Sequence, residues 1–344
     1  MEKISVIGLD LAKNVFQVHG AGSDGKKRLS KKLKRSELLE FFAKMPRCLV
    51  GLEACGGAHE WARRLEALGF TVKMMAPQHV KPYVQGNKTD ARDAAAICEA
   101  ASRPAVPAIA IRTRDSQQMQ CLHRVREGWM KQRTAVMNRI RGLLGEFGVA
   151  VSRGEKSLRL QVRQWQAEQA LELPLVGRLM DESLDELDEL DKRLAEVMAM
   201  LSQAHQADAA SQLIASIPGV GPLSATAVIS SFGRAQSFSN ARKFASAIGL
   251  TPREHSSGGK QRLGGISKRG NSYIRKLLVH GARAVLWARM KKPDYADDWV
   301  VQLAQRRGHN VAVCALAAKN ARRIWAILHS DKVFNPEHAK MASA

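Results

Sequence analysis

The chain has 344 residues, more than one ordinary compact core holds, so we expect two or three domains. Hydrophobic residues make up 45% of it, a normal share for a globular protein, which excludes wholesale disorder. Lysine and arginine number 54 against 32 aspartates and glutamates, a formal net charge of +22. This excess predicts a polyanionic partner, and we favour nucleic acid over a membrane surface.

Two further classes of protein are disfavoured by the sequence. It contains no run of 18 apolar residues and begins without a signal-peptide pattern, so we expect no membrane partner and a cytoplasmic location. The five cysteines lie far apart and form no C-x-x-C pair, which argues against a zinc site or a disulfide framework. They are Cys48, Cys55, Cys98, Cys121 and Cys314.

The first 108 residues alternate between strand-like and helical patterns, which predicts a mixed sheet flanked by helices. The predicted strands cover residues 4–9, 15–19, 48–52 and 70–75, and the predicted helices cover 36–45 and 59–68. The first of these strands ends on Asp10 and the third ends on Glu53. A side chain at the end of a strand can project into a ligand crevice at the edge of the sheet.

Residues 112–208 change to a helical period and predict a long, coiled-coil middle region. Its first helix carries a set of cations that we expect to contact nucleic acid: Arg124, Arg126, Lys131, Arg133, Arg139 and Arg141. Its second helix has an apolar seam with steps of three and four, formed by Leu187, Leu190, Leu194, Val197 and Leu201. The seam fits a helical hairpin within the chain or a dimerising arm, and we favour a helix of a second subunit.

Residues 211–330 form a third region, helical and basic, followed by a polar tail over 331–344. Its segment 217–225 is typical of a helix-hairpin-helix turn, in which Gly219 and Gly221 let backbone N–H groups approach a DNA phosphate. A plain Gly-Pro helix break is the alternative. A glycine-rich basic segment follows, with phosphate-neutralising candidates Lys260, Arg262, Lys268, Arg269 and Arg275, although a basic surface loop would have the same composition.

Four acidic residues form the main candidate for chemistry. Asp90 and Asp93 lie three apart at the opening of a predicted helix and therefore share one helical face. Together with Asp10 and Glu53 at strand ends, they have the composition of a site for two divalent ions in phosphodiester chemistry. Hard oxygen ligands favour Mg²⁺ or Mn²⁺. The alternative is that Asp90 and Asp93 only complement the helix dipole.

The segments 8–13, 52–56 and 88–94 around these acids resemble the DEDD motifs of the IS110 family of bacterial insertion-sequence transposases, and within it the IS1111 subgroup. Most relatives have threonine where this chain has Cys55, a departure that touches no acid. The resemblance implies a RuvC-like N-terminal domain on the ribonuclease H fold. It also implies that Asp10, Glu53, Asp90 and Asp93 are catalytic metal ligands.

Residues 249–271 resemble the C-terminal transposase domain of the same family, in which a serine followed by glycine is the nucleophile. That step selects Ser257, with the adjacent Ser256 as the fallback. The resemblance implies a nucleoid-associated recombinase that excises and inserts its element. It implies guidance by a noncoding bridge RNA that pairs with donor and target DNA. It further implies dimers that assemble to a homotetramer, with the acidic domain of one subunit serving the serine domain of another.

The overall expectation is an α/β plus α architecture, with a RuvC-like domain, a helical coiled-coil middle and a mainly helical transposase domain. Two rival functions stay open. A RuvC-like, metal-dependent junction endonuclease would cleave DNA without any covalent protein–DNA species. A non-enzymatic nucleic-acid-binding protein would have structural acids, and its binding would survive chelation of metal ions.

Overall fold

The computed structural model describes residues 4–87, 89–169 and 171–335. The predicted polar tail lies outside these residues from position 336 onward, as does Lys88 of the third acidic segment. The chain is mixed α/β and mostly helical, and it forms two compact units, one up to Thr113 and one from Arg114. The finer division into regions 1–108, 112–208 and 211–330 stays a prediction.

The strands are β1 (Val6–Leu11), β2 (Val15–Ala21), β3 (Lys27–Lys34), β4 (Leu49–Glu53), β5 (Thr71–Met75), β6 (Pro252–Glu254) and β7 (Leu263–Ile266). The helices of the first unit are α1 (Leu38–Ala43), α2 (Ala58–Ala67), α3 (Pro77–Val80) and α4 (Asp90–Ser102). Those of the second unit are α5 (Arg114–Glu146), α6 (Glu155–Gln169), α7 (Pro174–Ala207), α8 (Ala209–Ala215), α9 (Pro222–Phe232), α10 (Ala241–Ile248), α11 (Ser272–Met290), α12 (Trp299–Arg307) and α13 (His309–Ser330).

The first unit is built on a five-stranded sheet in the order β3-β2-β1-β4-β5. Strands β1, β2 and β3 pair antiparallel, whereas β4 and β5 run parallel to β1. Alternate residues of β1 face opposite sides, so Ile7 and Leu9 pack against α1 and α2 while Gly8 and Asp10 face α4. Burial on both faces explains why the central strands are apolar runs in the sequence.

Strand β3 was not predicted from the sequence. Only Leu29 and Leu33 in it are apolar, and they pack against the hydrophobic core beneath the sheet. The rest of the strand is polar because β3 lies at the edge of the sheet, where one face and one backbone edge are open to solvent. A two-residue apolar signal is too weak to identify such a strand.

The apolar seam of α7 is buried within the chain, with at most 8% of any of its five side chains exposed. Leu187 and Leu190 share a core with Val136 and Ile140 of α5 and with α6. Helices α5 and α7 run antiparallel: Arg133 pairs with Asp191, whereas Arg139, later in α5, pairs with Glu186, earlier in α7. The expectation that a second subunit would bury this seam is therefore wrong, because the chain's own helices occupy it.

Helices α8 to α13 surround the largest hydrophobic core of the second unit. Two features fix their packing. Gly219 lies so close to Gly281 of α11 that a Cβ on either would overlap the other's backbone. The buried His123 of α5 is within 3.1 Å of the Tyr273 hydroxyl and 3.2 Å of the Thr226 hydroxyl, and burial lowers its pKa to about 4. The imidazole is therefore neutral and joins three helices.

Candidate active site

Asp10 and Glu53 are neighbours at one end of the sheet. The parallel register pairs Leu9 of β1 with Leu52 of β4, so the next residue of each strand, Asp10 and Glu53, lies side by side. Both carboxylates point to the face that carries α4, because Gly8 and Gly51, two residues earlier in each strand, contact that helix. The core strands thus fix the positions of half the candidate site.

Helix α4 brings the other two acids to the same place. The Cys98 thiol contacts the carbonyl of Val6, and Ala94, four residues earlier in α4, lies against Gly8, two residues later in β1. The helix and the strand therefore run in opposite directions. The two steps match in length, about 6 Å along a helix and about 6.6 Å along a strand. One more step brings the first turn of the helix, with Asp90 and Asp93, to Asp10.

This close fit depends on two glycines. A Cβ at Gly8 would overlap the backbone of Ala94 and Cys98, and one at Gly51 would come within 2.5 Å of the Ala101 Cβ. The helix therefore rests directly on the strand backbone. At its start, the side chain of Thr89 accepts a hydrogen bond from the backbone N–H of Arg92, which caps the helix. The helix N-terminus also favours nearby negative charge.

The other three acids all act electrostatically on Asp10. Burial, followed by the charges of Asp93, Asp90 and Glu53, raises the pKa of the Asp10 carboxyl to about 6. The side chain is only half-buried, so the site is open to solvent on one side. Like charges held this close are the arrangement that a multivalent cation stabilises.

A complete ligand cage is not present in this conformation. Within residues 4–87, 89–169 and 171–335, no three His, Cys, Asp or Glu side chains are grouped closely enough to hold a metal ion. The donor chemistry nevertheless fits a hard divalent cation, because four carboxylates supply oxygen ligands and excess negative charge. Asp90 is exposed and Asp93 is partly exposed, so the core does not fix the rotamers of these two side chains.

The glycine-rich segment, for which no strand was predicted, forms a β-hairpin of β6 and β7. Its tip has the pattern of a type I′ turn: Gly258 and Gly259 have φ values of +55° and +73°, and the Lys260 N–H donates to the Ser257 carbonyl at 3.1 Å. Every residue from 252 to 265 is exposed. Ser257 therefore stands beside the tip of an exposed arm.

The two candidate serines differ in their contacts. The Ser256 hydroxyl lies 2.8 Å from a Glu254 carboxylate oxygen and accepts a hydrogen bond from the backbone N–H of Arg262 at 3.2 Å. The Ser257 hydroxyl has no hydrogen-bond partner in the part of the chain that the structure describes. Ser256 thus stabilises the hairpin, while the Ser257 oxygen is available for another molecule.

The base of the hairpin is held tightly. A Cβ at Gly249 would overlap the carbonyl of Arg269, and one at Gly270 would overlap that of Ala247. Arg275 donates a hydrogen bond to the Ile248 carbonyl at 2.8 Å, at the end of α10. The arm therefore joins the helical core at a fixed point.

The other cations predicted to contact nucleic acid fall into two groups. Arg133 is bound by Glu155 and Asp191, and Arg139 by Glu186. Arg126 is partly exposed, and its Nε donates to the Met198 sulfur at 3.1 Å. The remaining members are exposed or partly so and make at most one weak side-chain contact within the described residues: Arg124, Lys131, Arg141, Lys260, Arg262, Lys268 and Arg269. Nucleic-acid contact remains a prediction for both groups.

The predicted helix-hairpin-helix turn joins α8 to α9. Gly219 has a φ of +89° and packs on Gly281. Gly221 is exposed, and a Cβ at this position would have no neighbouring atom within 4 Å among the described residues. The turn is anchored by Asn320, whose side-chain amide donates to the Pro218 carbonyl at 2.9 Å. Of the two glycines, Gly221 is the one whose surroundings leave room for a phosphate.

One basic segment was not singled out from the sequence. Residues 26–35 contain seven lysines and arginines and no acid, and they include all of β3. The signal was visible in the sequence as the densest run of cations in the first unit. It went unused because no strand was predicted there, so the direction of these side chains was unknown.

Comparison with known proteins identifies the family. A family model described as "Transposase IS116/IS110/IS902 family" matches residues 211–297, and one for the DEDD transposase of IS110 matches residues 7–148. These two ranges contain the serine hairpin and the four acids respectively. Within the described residues, no helix is both long and apolar enough to cross a bilayer.

Several curated relatives match along nearly the full length. A probable family 20 transposase of Pseudomonas aeruginosa is 47% identical over 97% of this chain and 99% of its own length. The transposase of insertion sequence element IS1111A of Coxiella burnetii is 40% identical over 97% and 92%. That of IS1328 of Yersinia enterocolitica is 36% identical over 97% and 100%. The chain is therefore a transposase that belongs to the IS110 family.

Proposed function

We propose that this transposase cuts and rejoins DNA strands with two groups of residues, an acidic metal site and a serine nucleophile. The metal site consists of Asp10, Glu53, Asp90 and Asp93, and the nucleophile is Ser257. The observation that carries the proposal is the convergence of the acids on Asp10, where burial and then the charges of the other three raise the carboxyl pKa. Four carboxylates that repel one another on a solvent-open face are costly for a structural role and suited to binding cations.

The sheet supports a RuvC-like assignment on the ribonuclease H fold. Its order, β3-β2-β1-β4-β5, combines three antiparallel strands with two that run parallel to β1. The first acid lies on the central strand, and the second lies on its parallel neighbour. This is the arrangement expected of a RuvC-like domain from the resemblance of the three acidic segments.

The cofactor that suits these ligands is Mg²⁺, for which Mn²⁺ can substitute. When bound, two such ions stabilise the attacking and leaving oxygens of a phosphodiester. Asp10 and Glu53 are fixed by the strands and would hold the ions in place. Asp90 and Asp93 belong to the capped end of α4 and can adjust their side chains, so they would complete the coordination.

In the proposed reaction, the Ser257 Oγ attacks a DNA phosphorus. An O–P bond to serine forms, one bridging P–O bond of the strand breaks, the serine proton is lost to solvent and the departing DNA oxygen gains a proton. Lys260, Arg262 and Arg269 would stabilise the extra negative charge of the transition state. Attack by a hydroxyl of the new partner strand reverses the step and releases the serine, so that no external energy source is required.

Three further elements complete the proposal. A noncoding bridge RNA pairs with the donor and target DNA, and the +22 charge supports binding of both nucleic acids through phosphates. The subunits assemble from dimers to a homotetramer. The candidate phosphate contacts are the exposed cations of α5 and the hairpin, with Gly221 at the helix-hairpin-helix turn.

The decisive experiment looks for a covalent protein–DNA adduct. A reaction on labelled DNA is denatured, and the adduct is mapped by peptide mass spectrometry to Ser257. Ser257→Ala should abolish both adduct and recombination, whereas Ser256→Ala should keep the adduct and lower its yield. Full recombination by the Ser256→Ala, Ser257→Ala double variant would refute the serine step and favour the RuvC-like junction endonuclease.

A mixing experiment tests the shared active site. Asp93→Asn protein and Ser257→Ala protein are each expected to be inactive. The two variants are coexpressed with different tags, and assemblies that contain both chains are purified through both tags. Recombination by the mixed assembly, but not by either variant alone, would support sites shared between subunits, and no recovery would contradict them.

The guide RNA is tested separately. Protein purified from cells that carry its own element should copurify with a discrete RNA, which sequencing identifies. Nuclease treatment should remove site-specific recombination, and adding back that RNA should restore it. Unchanged sequence specificity after nuclease treatment would refute RNA guidance and leave the serine mechanism untouched.

A further inference from the structure

Strand β3 presents an unusual row of cations at the edge of the sheet. Seven of the ten residues from 26 to 35 are lysine or arginine. Among the residues that the structure describes, β3 pairs with β2 alone, so its outer edge is open, and its lysines are exposed. The function proposed above makes no use of this row.

The strand register decides which cations face the acids. Gln17 of β2 pairs with Asp10 on one side and with Lys32 on the other, so the three side chains form one row across the sheet. Directly cross-strand residues point to the same face. Lys32 and Lys34 therefore lie on the α4 face with the four acids, whereas Lys31 lies on the opposite face with Leu29 and Leu33.

The distances along this row suit a strand of nucleic acid. Lys32 and Asp10 are separated by two strand spacings, about 10 Å between backbones. Strand β3 runs parallel to β1, since both are antiparallel to β2, so Lys34 continues the row past the end of β1 that carries Asp10. Helix α4 covers β1, β2 and β4, and the α4 face of β3 remains exposed beside it.

The contacts of these lysines differ by face. Lys31 places its ammonium 5.1 Å from the centre of the Phe41 ring, a cation–π contact that serves packing. Within the described residues, the ammonium groups of Lys32 and Lys34 have neither a hydrogen bond nor an ion pair.

Protection against edge-to-edge aggregation is the simplest alternative, since lysines on edge strands commonly prevent pairing with other chains. Charges on either face of the sheet protect the edge equally well. Edge protection therefore does not explain why unpaired cations lie on the face that carries the acids. A polyanion approaching four carboxylates is repelled, so a nearby row of cations is needed to bring its backbone to the acids.

We propose that Lys32 and Lys34 bind the phosphodiester backbone of the DNA strand whose phosphate is processed at the four acids. This inference rests on the proposed function, because it takes that site as the place of chemistry. The two lysines hold the DNA strand on the face of the sheet that carries the acids. Lys32 lies level with Asp10, and Lys34 lies beyond the end of β1. It adds a substrate-binding surface in the first unit to those of α5 and the hairpin.

The test compares neighbouring lysines on opposite faces of one strand, Lys32→Gln against Lys31→Gln. Both substitutions remove one charge from the same edge strand, so edge protection and net charge change equally. Binding of a fluorescent DNA duplex to the full-length protein is measured by anisotropy at several salt concentrations with EDTA present. Metal-dependent cleavage does not occur under these conditions, which separates binding from chemistry.

Loss of one phosphate contact should lower the salt slope by about 1 and the affinity by about eightfold at ~0.1 M salt. Lys32→Gln should show this loss. The Lys32→Gln, Lys34→Gln double variant should lose about 60-fold in DNA affinity, and Lys31→Gln should lose less than about twofold. Equal losses for Lys31 and Lys32 would overturn the proposal in favour of a diffuse field. If neither variant loses affinity, the proposal is overturned and edge protection is the role of these lysines. A loss with RNA but not with DNA would assign the row to RNA and would also overturn the proposal.

Cleavage in Mg²⁺ links the row to the acids. For Lys32→Gln, the DNA concentration giving half-maximal single-turnover rate should rise about eightfold while the maximal rate stays unchanged. A wild-type protein that binds DNA and never forms an adduct would contradict the proposed function. The comparison of Lys31 with Lys32 in EDTA would still decide the binding role of the row.

Discussion

The two candidate sites of this transposase are built in opposite ways. The acids belong to strands and a helix buried on both sides, so their spacing is fixed before any substrate arrives. The serine stands on a hairpin in which residues 252 to 265 are all exposed, and only the base is held by the core. The difference indicates an acidic cluster whose backbone positions are set by the core, and a candidate nucleophile whose position depends on the molecules it contacts.

The strongest test of the proposed metal site is Asp93→Asn. Removing one ligand should reduce strand transfer by about a thousandfold or more, since metal stabilisation of the transition state is worth several kcal/mol. Folding stability should stay equal or rise, because a like charge near Asp10 is removed. Recombination assays and thermal unfolding measure the two effects, and a clear fall in the unfolding temperature would mean that the acid is structural.

Gly8→Ala tests whether the core sets the spacing of the acids. The added methyl would overlap the backbone of α4, so we expect a loss of about 1–3 kcal/mol in unfolding free energy. A displacement near 1 Å at the acids would lower activity about a hundredfold. Gly56→Ala is the matched control, because nothing lies within 4 Å of a Cβ there. Equal behaviour of the two variants would show that α4 can shift without consequence.

The pH dependence of metal binding sharpens the same point. Because the Asp10 pKa is raised to about 6, a proton competes with the metal below that pH. Apparent Mn²⁺ affinity should fall by about tenfold per unit as pH drops below 6 and level off above it. A calorimetric Mn²⁺ titration at several pH values measures this. An affinity independent of pH between 5 and 7 would exclude Asp10 as a ligand.

The metal-free protein should show the opposite trend in stability. The folded state holds the Asp10 proton more tightly than the unfolded chain, whose carboxyl has a pKa near 3.8. The contribution of Asp10 to folding therefore becomes less favourable as pH rises from 3.8 to about 6. Asp10→Asn should remove that part of the dependence, which denaturant titrations at several pH values would detect.

The smallest expected effect is in the hairpin. Gly259→Ala places a methyl group on a residue with φ of +73°, which costs about 1–2 kcal/mol locally. Because residues 252 to 265 of the arm are all exposed, the unfolding temperature of the protein should be unchanged, while protease cleavage near the tip should speed up. Gly258→Asn is the control, since Asn-Gly suits this type of turn. A lower unfolding temperature for Gly259→Ala would show that the arm is part of the folded core.

The sequence predicted the central strands well because burial on both faces leaves apolar runs, and two of these runs end on Asp10 and Glu53. It did not predict β3 or the β6–β7 hairpin, since exposed strands carry few apolar residues and no period of burial. The seam of α7 illustrates a different limit. Its spacing of leucines predicts a partner helix, but the same spacing fits a helix from this chain or from another, and only the fold assigned it to α5 and α6.

The contact of α4 with Gly8 and Gly51 also affects how copies of such a gene decay in a genome. Since the helix rests on the backbone of β1 and β4 at these two positions, the spacing of the acids depends on them directly. A single codon change at either glycine moves the helix while all four acids remain intact. A survey that counts active copies by their acids alone would therefore overestimate them, and including these two codons would correct the count.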